Sequence, residues 1–152
     1  MFLAKCLSAA EGFLSLGMPE EAEEELARVA EAGALDETYW RLAVAVAMAR
    51  KQWMEGVERA RQLIKMNPSG PDGYLHLAFC LHELGQTREA RDALTQGPPR
   101  LKTTPIYFYN LACYEAQLGN VAEARTVLER AIRLEPAYRE IAEKDPDLDP
   151  LR

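Results

Sequence analysis

The chain has 152 residues, 48% of them apolar and 28% charged, with 18 basic against 24 acidic side chains and a net charge of -6. This is the balance of one soluble domain, residues 1–152, and the acidic excess excludes a nucleic-acid partner, which would need a basic stripe to release counterions. Three cysteines, Cys6, Cys80 and Cys113, are odd in number and widely spaced, which argues against a disulfide framework or zinc knuckle and for reduced thiols in a cytoplasmic setting.

The first stretch, Met1 to Gly17, is apolar but interrupted by Lys5 and Glu11, so it reads as a helix of the fold and not as a signal peptide. No run reaches the length needed to span a bilayer, and no membrane partner is expected. A Glu-rich stretch follows. Residues 1–35 set seven Glu against Lys5 and Arg28, which reads as the solvated face of a second helix.

That opening pattern returns. Leu16-Gly17 with Glu21-Ala22 reappears as Leu84-Gly85 with Glu89-Ala90 and as Leu118-Gly119 with Glu123-Ala124, and a weaker copy runs from Lys51 to Glu55-Gly56. The turn position therefore falls at 17, 51, 85 and 119, a period of 34 residues. Self-similarity at this period marks a stacked array of helical hairpins, none of which can bury its apolar face alone.

Taking units of 3–36, 37–70, 71–104 and 105–138, one face of a first helix (helix A) carries Cys6, Trp40, Tyr74 and Phe108, then Ala9, Ala43, Leu77 and Leu111, then Ala10, Val44, Ala78 and Ala112. The next slot on that face holds Phe13, Ala47 and Leu81 but breaks to Glu115 in the fourth unit. The second helix (helix B) starts near Glu21, Glu55, Glu89 and Glu123, where negative charge suits the helix dipole. It carries a small residue at Ala22, Gly56, Ala90 and Ala124, permitting close approach, and Pro68 and Pro136 stop it. In the third unit, Gly97-Pro98-Pro99 ends helix B early, from which a looser joint with the fourth unit is expected. Residues 137–144 read as a capping helix with Tyr138, Ile141 and Ala142 on its buried side, the first two worth roughly 2–4 kcal/mol. Beyond Asp145-Pro146 the chain reads as a frayed acidic tail or a final turn pinned by Leu148 and Leu151.

The units resemble the tetratricopeptide repeat family, best in the fourth: Phe108-Tyr109-Asn110-Leu111-Ala112, Gly119, Ala124, Leu128, Ala131 and Pro136. The resemblance covers about residues 3–138. It implies an all-α, right-handed alpha-alpha superhelix of four helix-turn-helix repeats plus a C-terminal capping helix and tail (residues 139–152), with a concave groove lined by the A helices. It also implies which residues face the groove: Arg41, Ala45 and Met48 from the second unit, Leu75, Phe79 and His82 from the third, and Tyr109, Cys113, Ala116 and Gln117 from the fourth. The Asn and Lys pattern with which some members clamp a terminal carboxylate is missing, since the central groove position holds Glu11, Ala45, Phe79 and Cys113.

No phosphate loop, metalloprotease helix or nucleophile elbow occurs, so no catalysis, cofactor or metal is expected. His76, Cys80, His82 and Cys113 do not converge on a four-ligand set, and a Cys113–His82 pair lacks an orienting acid in the pattern. The expected function is a non-enzymatic adaptor or scaffold that holds a peptide or helix of a partner protein in the groove. Covering about 300 Å² of its apolar floor would be worth roughly 7 kcal/mol before ordering costs. Three alternatives stand beside it: the same residues packing only between helices, a chaperone for apolar segments of exported proteins, and weak self-association through Phe2 and Leu3 of the N-terminal helix.

Overall fold

Local chain chemistry sets where the helices begin and end. The computed structural model describes all 152 residues, which form nine helices: α1 (Phe2–Ser15), α2 (Pro19–Glu31), α3 (Glu37–Ala49), α4 (Trp53–Met66), α5 (Asp72–Glu83), α6 (Thr87–Thr95), α7 (Pro105–Gln117), α8 (Val121–Leu134) and α9 (Tyr138–Lys144). Two 3-10 segments, Leu101–Thr103 and Pro146–Leu151, complete the all-α fold. Side-chain caps start two of the A helices. Asp36 accepts from the Tyr39 amide at 2.9 Å and Thr104 from the Tyr107 amide at 3.3 Å, each relieving one orphan donor of the first turn.

Every A helix ends in the same motif. After α5, the Gly85 amide donates to the His82 carbonyl and the Gln86 amide to the Leu81 carbonyl, both at 2.9 Å. Equivalent pairs close α1, α3 and α7, the paired bonds of a Schellman turn. The geometry requires a left-handed residue, supplied by Gly17, Gly85 and Gly119 at φ +72°, +79° and +85°. Lys51 adopts the same region at φ +57° despite its Cβ, a conformation that costs an L-residue about 1–2 kcal/mol.

The chain folds as two compact units, Met1–Pro68 and Ser69–Arg152. In the first, hairpins α1–α2 and α3–α4 close on a core of Cys6, Ala10, Ala22, Leu26, Val29, Tyr39, Ala43 and Val46. Alanine at three of these positions lets the helices approach closely, with Leu26, Val29, Tyr39 and Val46 filling the space beside them. The acidic face of α2 is only partly a solvated one. The Arg59 guanidinium on α4 reaches Glu23 of α2 (3.0 Å), Glu55 (2.9 Å) and the Ala43 carbonyl of α3 (2.8 Å). Arg50 at the α3 terminus holds Glu20 at 3.0 Å. Arg59 thus ties three helices together, with its side chain 11% exposed.

In the second unit, hairpins α5–α6 and α7–α8 are joined by the proline-rich stretch, and the looser joint expected there is not found. Leu101, 1% exposed, turns back from its 3-10 segment toward the end of α6. A Cβ at Gly97 would lie 2.7 Å from Leu101 Cδ2 and 3.1 Å from the Leu94 carbonyl oxygen, so the stretch is packed tightly. Helix α7 is buried along nearly its whole length, from Tyr107 to Ala116 with only Asn110 half-exposed. Glu115, which breaks the apolar pattern, is satisfied by Asn120 Nδ2 at 2.6 Å and faces Arg91 at 3.6 Å. Arg130 of α8 lies 4.4 Å over the Phe108 ring, a cation–π contact.

The cap differs from expectation. Ile141 is 49% exposed, and Leu134 at the end of α8 is 50% exposed. Ala142 and Tyr138 do face inward, and Leu148 beyond α9, 2% exposed, supplies the apolar plug. The residues after Asp145 are accordingly an ordered 3-10 segment pinned by Leu148, not a frayed tail.

Two substitutions check this account by urea denaturation. Lys51→Gly should stabilise the chain by about 0.5–1 kcal/mol, the relieved left-handed strain outweighing the added freedom of the unfolded state. Gly97→Ala should destabilise it by about 1–3 kcal/mol through overpacking against Leu101.

Candidate functional site

Positions 109, 113 and 117 are four apart and so form one stripe along α7. The segment after α9 lies along this stripe. Its path begins at Asp145, whose backbone leaves the helix (φ -84°, ψ 116°) because the following proline disfavours helical geometry in the residue before it. Asp145 Oδ1 then accepts from the Asp147 amide at 3.0 Å, a local Asx turn that aims the other carboxylate oxygen at α7. That oxygen accepts from the Tyr109 hydroxyl at 2.6 Å and from the Cys113 thiol at 3.7 Å.

Asp147 continues the pattern. Its carboxylate accepts from His82 Nε2 on α5 at 2.9 Å, and its main-chain carbonyl accepts from Gln117 Nε2 at 2.8 Å. His82 Nδ1 lies 3.0 Å from the Thr87 hydroxyl. A neutral imidazole with its proton on Nε2 satisfies both neighbours, donating to Asp147 and accepting from Thr87. The Tyr138 ring stacks on Tyr109 at 4.6 Å between centroids.

The structure therefore gathers His82, Tyr109, Cys113 and Gln117 around one segment. Tyr109, Cys113 and Ala116 are 6%, 4% and 1% exposed, so they are not the open floor expected of them. The reason is the covering segment: Asp145 and Asp147 satisfy their polar atoms, and the chain around Leu148 excludes water. Leu75, Phe79 and His82 on α5 are half-buried. Arg41, Ala45 and Met48 belong to α3 in the first compact unit; Arg41 is exposed and pairs with Glu37 at 3.5 Å, while Ala45 and Met48 are half-buried. Sequence reasoning missed Asp145 and Asp147 as members of the site. Their signal was present as two carboxylates flanking a proline, just before a leucine in an otherwise polar stretch.

The chemistry of the cluster is that of a hydrogen-bond network. Burial, then the charges of Asp145 and Asp147, push the Cys113 thiol up from its ordinary 9.0. Burial, then the bond to Asp145, push the Tyr109 phenol up from 10.0. Burial likewise raises the Cys80 thiol to about 11. The sequence lacked an orienting acid for a Cys113–His82 pair, and the structure supplies two. Both ring nitrogens of His82 are nevertheless engaged, and a thiol held protonated is a poor nucleophile. Cys113, Asp145 and Asp147 offer ligand atoms within 4.8 Å of one another, but a metal requires the thiolate that this setting disfavours.

The raised values carry a pH dependence. In the unfolded chain these groups ionise near 9.0 and 10.0, whereas the folded chain keeps their protons. Their contribution is thus fully present below pH 9 and is lost as pH rises above it. Urea midpoints measured from about pH 7 to pH 10.5 should be flat at first and then fall, and Cys113→Ala should make the fall shallower.

Comparison with known proteins agrees with the fold. Two models of the tetratricopeptide repeat match residues 47–112 and 105–138, together more than half of the chain. Among curated proteins no sequence matches. Solved structures do. YrrB, described as a TPR protein with an unusual peptide-binding site, superposes with a TM-score of 0.81 at 18% identity, covering 94% of this chain and 75% of that one. MamA gives 0.79 at 14% identity, over 91% of this chain and 81% of its own. A thermophilic TPR protein of Thermus thermophilus gives 0.72 at 19% identity, over 94% and 75%.

Proposed function

Because the chain belongs to the tetratricopeptide repeat family, we propose that it is a non-enzymatic adaptor holding a segment of a partner protein against the A helices of its second compact unit. One observation carries this reading: α5 and α7 already hold a short stretch of polypeptide outside the α-helices, gripping the carboxylates of Asp145 and Asp147 and a main-chain carbonyl. That is the task of a peptide-binding face, in which main-chain bonds give affinity and side-chain pockets give selectivity. YrrB, similar in fold, is described by its own peptide-binding site. Beside the gripped stretch, Leu75 and Phe79 keep part of their apolar surface in solvent and offer ground for further contact. The three free cysteines are all buried, and a reducing, cytoplasmic setting is part of the same proposal. No helix is long and apolar enough to cross a membrane.

A second reading rests on the first compact unit, where Phe2 is 61% exposed at the start of α1. An apolar ring left in solvent there supports weak self-association, and sedimentation at two concentrations decides it, a constant mass ruling it out.

The adaptor reading is tested at Phe79. A photo-crosslinking phenylalanine analogue at that position should yield adducts to a recurring partner segment. Phe79→Glu should weaken capture of that partner at least about tenfold, or 1.4 kcal/mol, with the far-UV spectrum unchanged. Undiminished capture by the Glu variant, or adducts only within the chain itself, would refute it.

A further inference from the structure

The segment that covers α7 is bound in an unusual way for a cap. A stretch that served only to seal the end of a helical array would set apolar side chains against it, since water exclusion is its whole task. Here four polar, directed contacts tie it to α5 and α7. Tyr109 and Cys113 donate to Asp145, His82 donates to Asp147, and Gln117 donates to a main-chain carbonyl. Leu148 alone is fully enclosed, while Pro146, Asp149 and Pro150 stay in solvent and Leu151 is half-buried. The backbone breaks out of helix at Asp145, so this stretch differs from α9 in conformation as well as in contacts. Beneath it lies Cys113, 4% exposed with its thiol against Asp145, and it would come to the surface if the segment left.

We infer that Asp145–Leu148 is an internal occupant of the recognition face, displaced by a partner segment of the same chemistry: two carboxylates two residues apart with a leucine directly after the second, Asp-Xaa-Asp-Leu. This rests on the adaptor reading and narrows it to one class of ligand. The first carboxylate takes the Tyr109 hydroxyl and the Cys113 thiol, and the second takes His82. The backbone carbonyl at the second position takes Gln117, and the leucine takes the space of Leu148. Affinity then depends on competition, because a partner gains only the difference between its contacts and those of the tethered segment, which acts at a high effective concentration. The protein is closed until such a partner is abundant or the segment is released.

The test uses the full chain carrying Asp145→Asn and Asp147→Asn together. Its readouts are maleimide labelling at Cys113, located by mass spectrometry, and fluorescence anisotropy of a labelled synthetic peptide spanning Glu143–Arg152. Expected are a retained helical spectrum, Cys113 labelling at least about tenfold faster than in the parent, and peptide binding that slows this labelling again. The same peptide with both aspartates replaced by asparagine should bind at least about tenfold more weakly. Unchanged labelling, or a peptide that neither binds nor protects Cys113, overturns the inference. If the variant loses its helical signal, the parent decides. Cys113 labelling that is insensitive to low urea reports local release and supports the inference; labelling that rises only in step with global unfolding overturns it. Adducts at Phe79 to partner segments lacking the carboxylate pair would leave the adaptor standing and defeat this inference alone.

Discussion

A helical hairpin has an apolar flank on each side and can cover only one of them by folding on itself. Every other feature of this protein is a way of dealing with the remainder. Within the first unit the two hairpins cover each other, and alanines at the contact let their backbones come close. Within the second unit α7 is wrapped on all sides, by α5 and α6, by α8, and by the segment after α9. That last wrapping is what turns an open helical face into a site with a defined polar pattern.

The two units solve the same packing problem with different chemistry. The first relies on charge: Arg59 satisfies two glutamates and a helix carbonyl at once, so a nearly buried guanidinium is compensated. The second relies on aromatic rings and on a short turn that folds back. Tyr109 is stacked by Tyr138 and bonded by Asp145, and Leu101 is driven against Gly97 where no side chain stands in its way. The proline-rich stretch that looks like a weak point in the primary structure is therefore a tight one.

Burial of the three thiols follows from the same wrapping. Their desolvation favours the neutral form, and at Cys113 the negative charges of Asp145 and Asp147 push in the same direction. The site is thus built to recognise and not to react: its donors are a phenol, a thiol, an imidazole and an amide, arranged for carboxylates and for main chain.

Much of this was legible in the amino-acid order, and the reason is locality. The 34-residue period, the left-handed residue closing each A helix, the proline stops and the two apolar faces all follow from sterics among residues within a few positions of each other. The groove positions 109, 113 and 117 were legible through the resemblance to the repeat family, which places all three on the concave side. What tertiary structure alone decided are the pairings between distant residues: His82 with Asp147, 65 positions apart, Arg59 with Glu23, 36 apart, and Tyr109 with Asp145, 36 apart. That Leu148 and not Ile141 is enclosed belongs with these, since Pro146 turns the chain and the surface it then meets determines which side chain fits. Periodicity determines that a face exists; what comes to lie on it depends on the path of the backbone through space, which no short window of sequence contains.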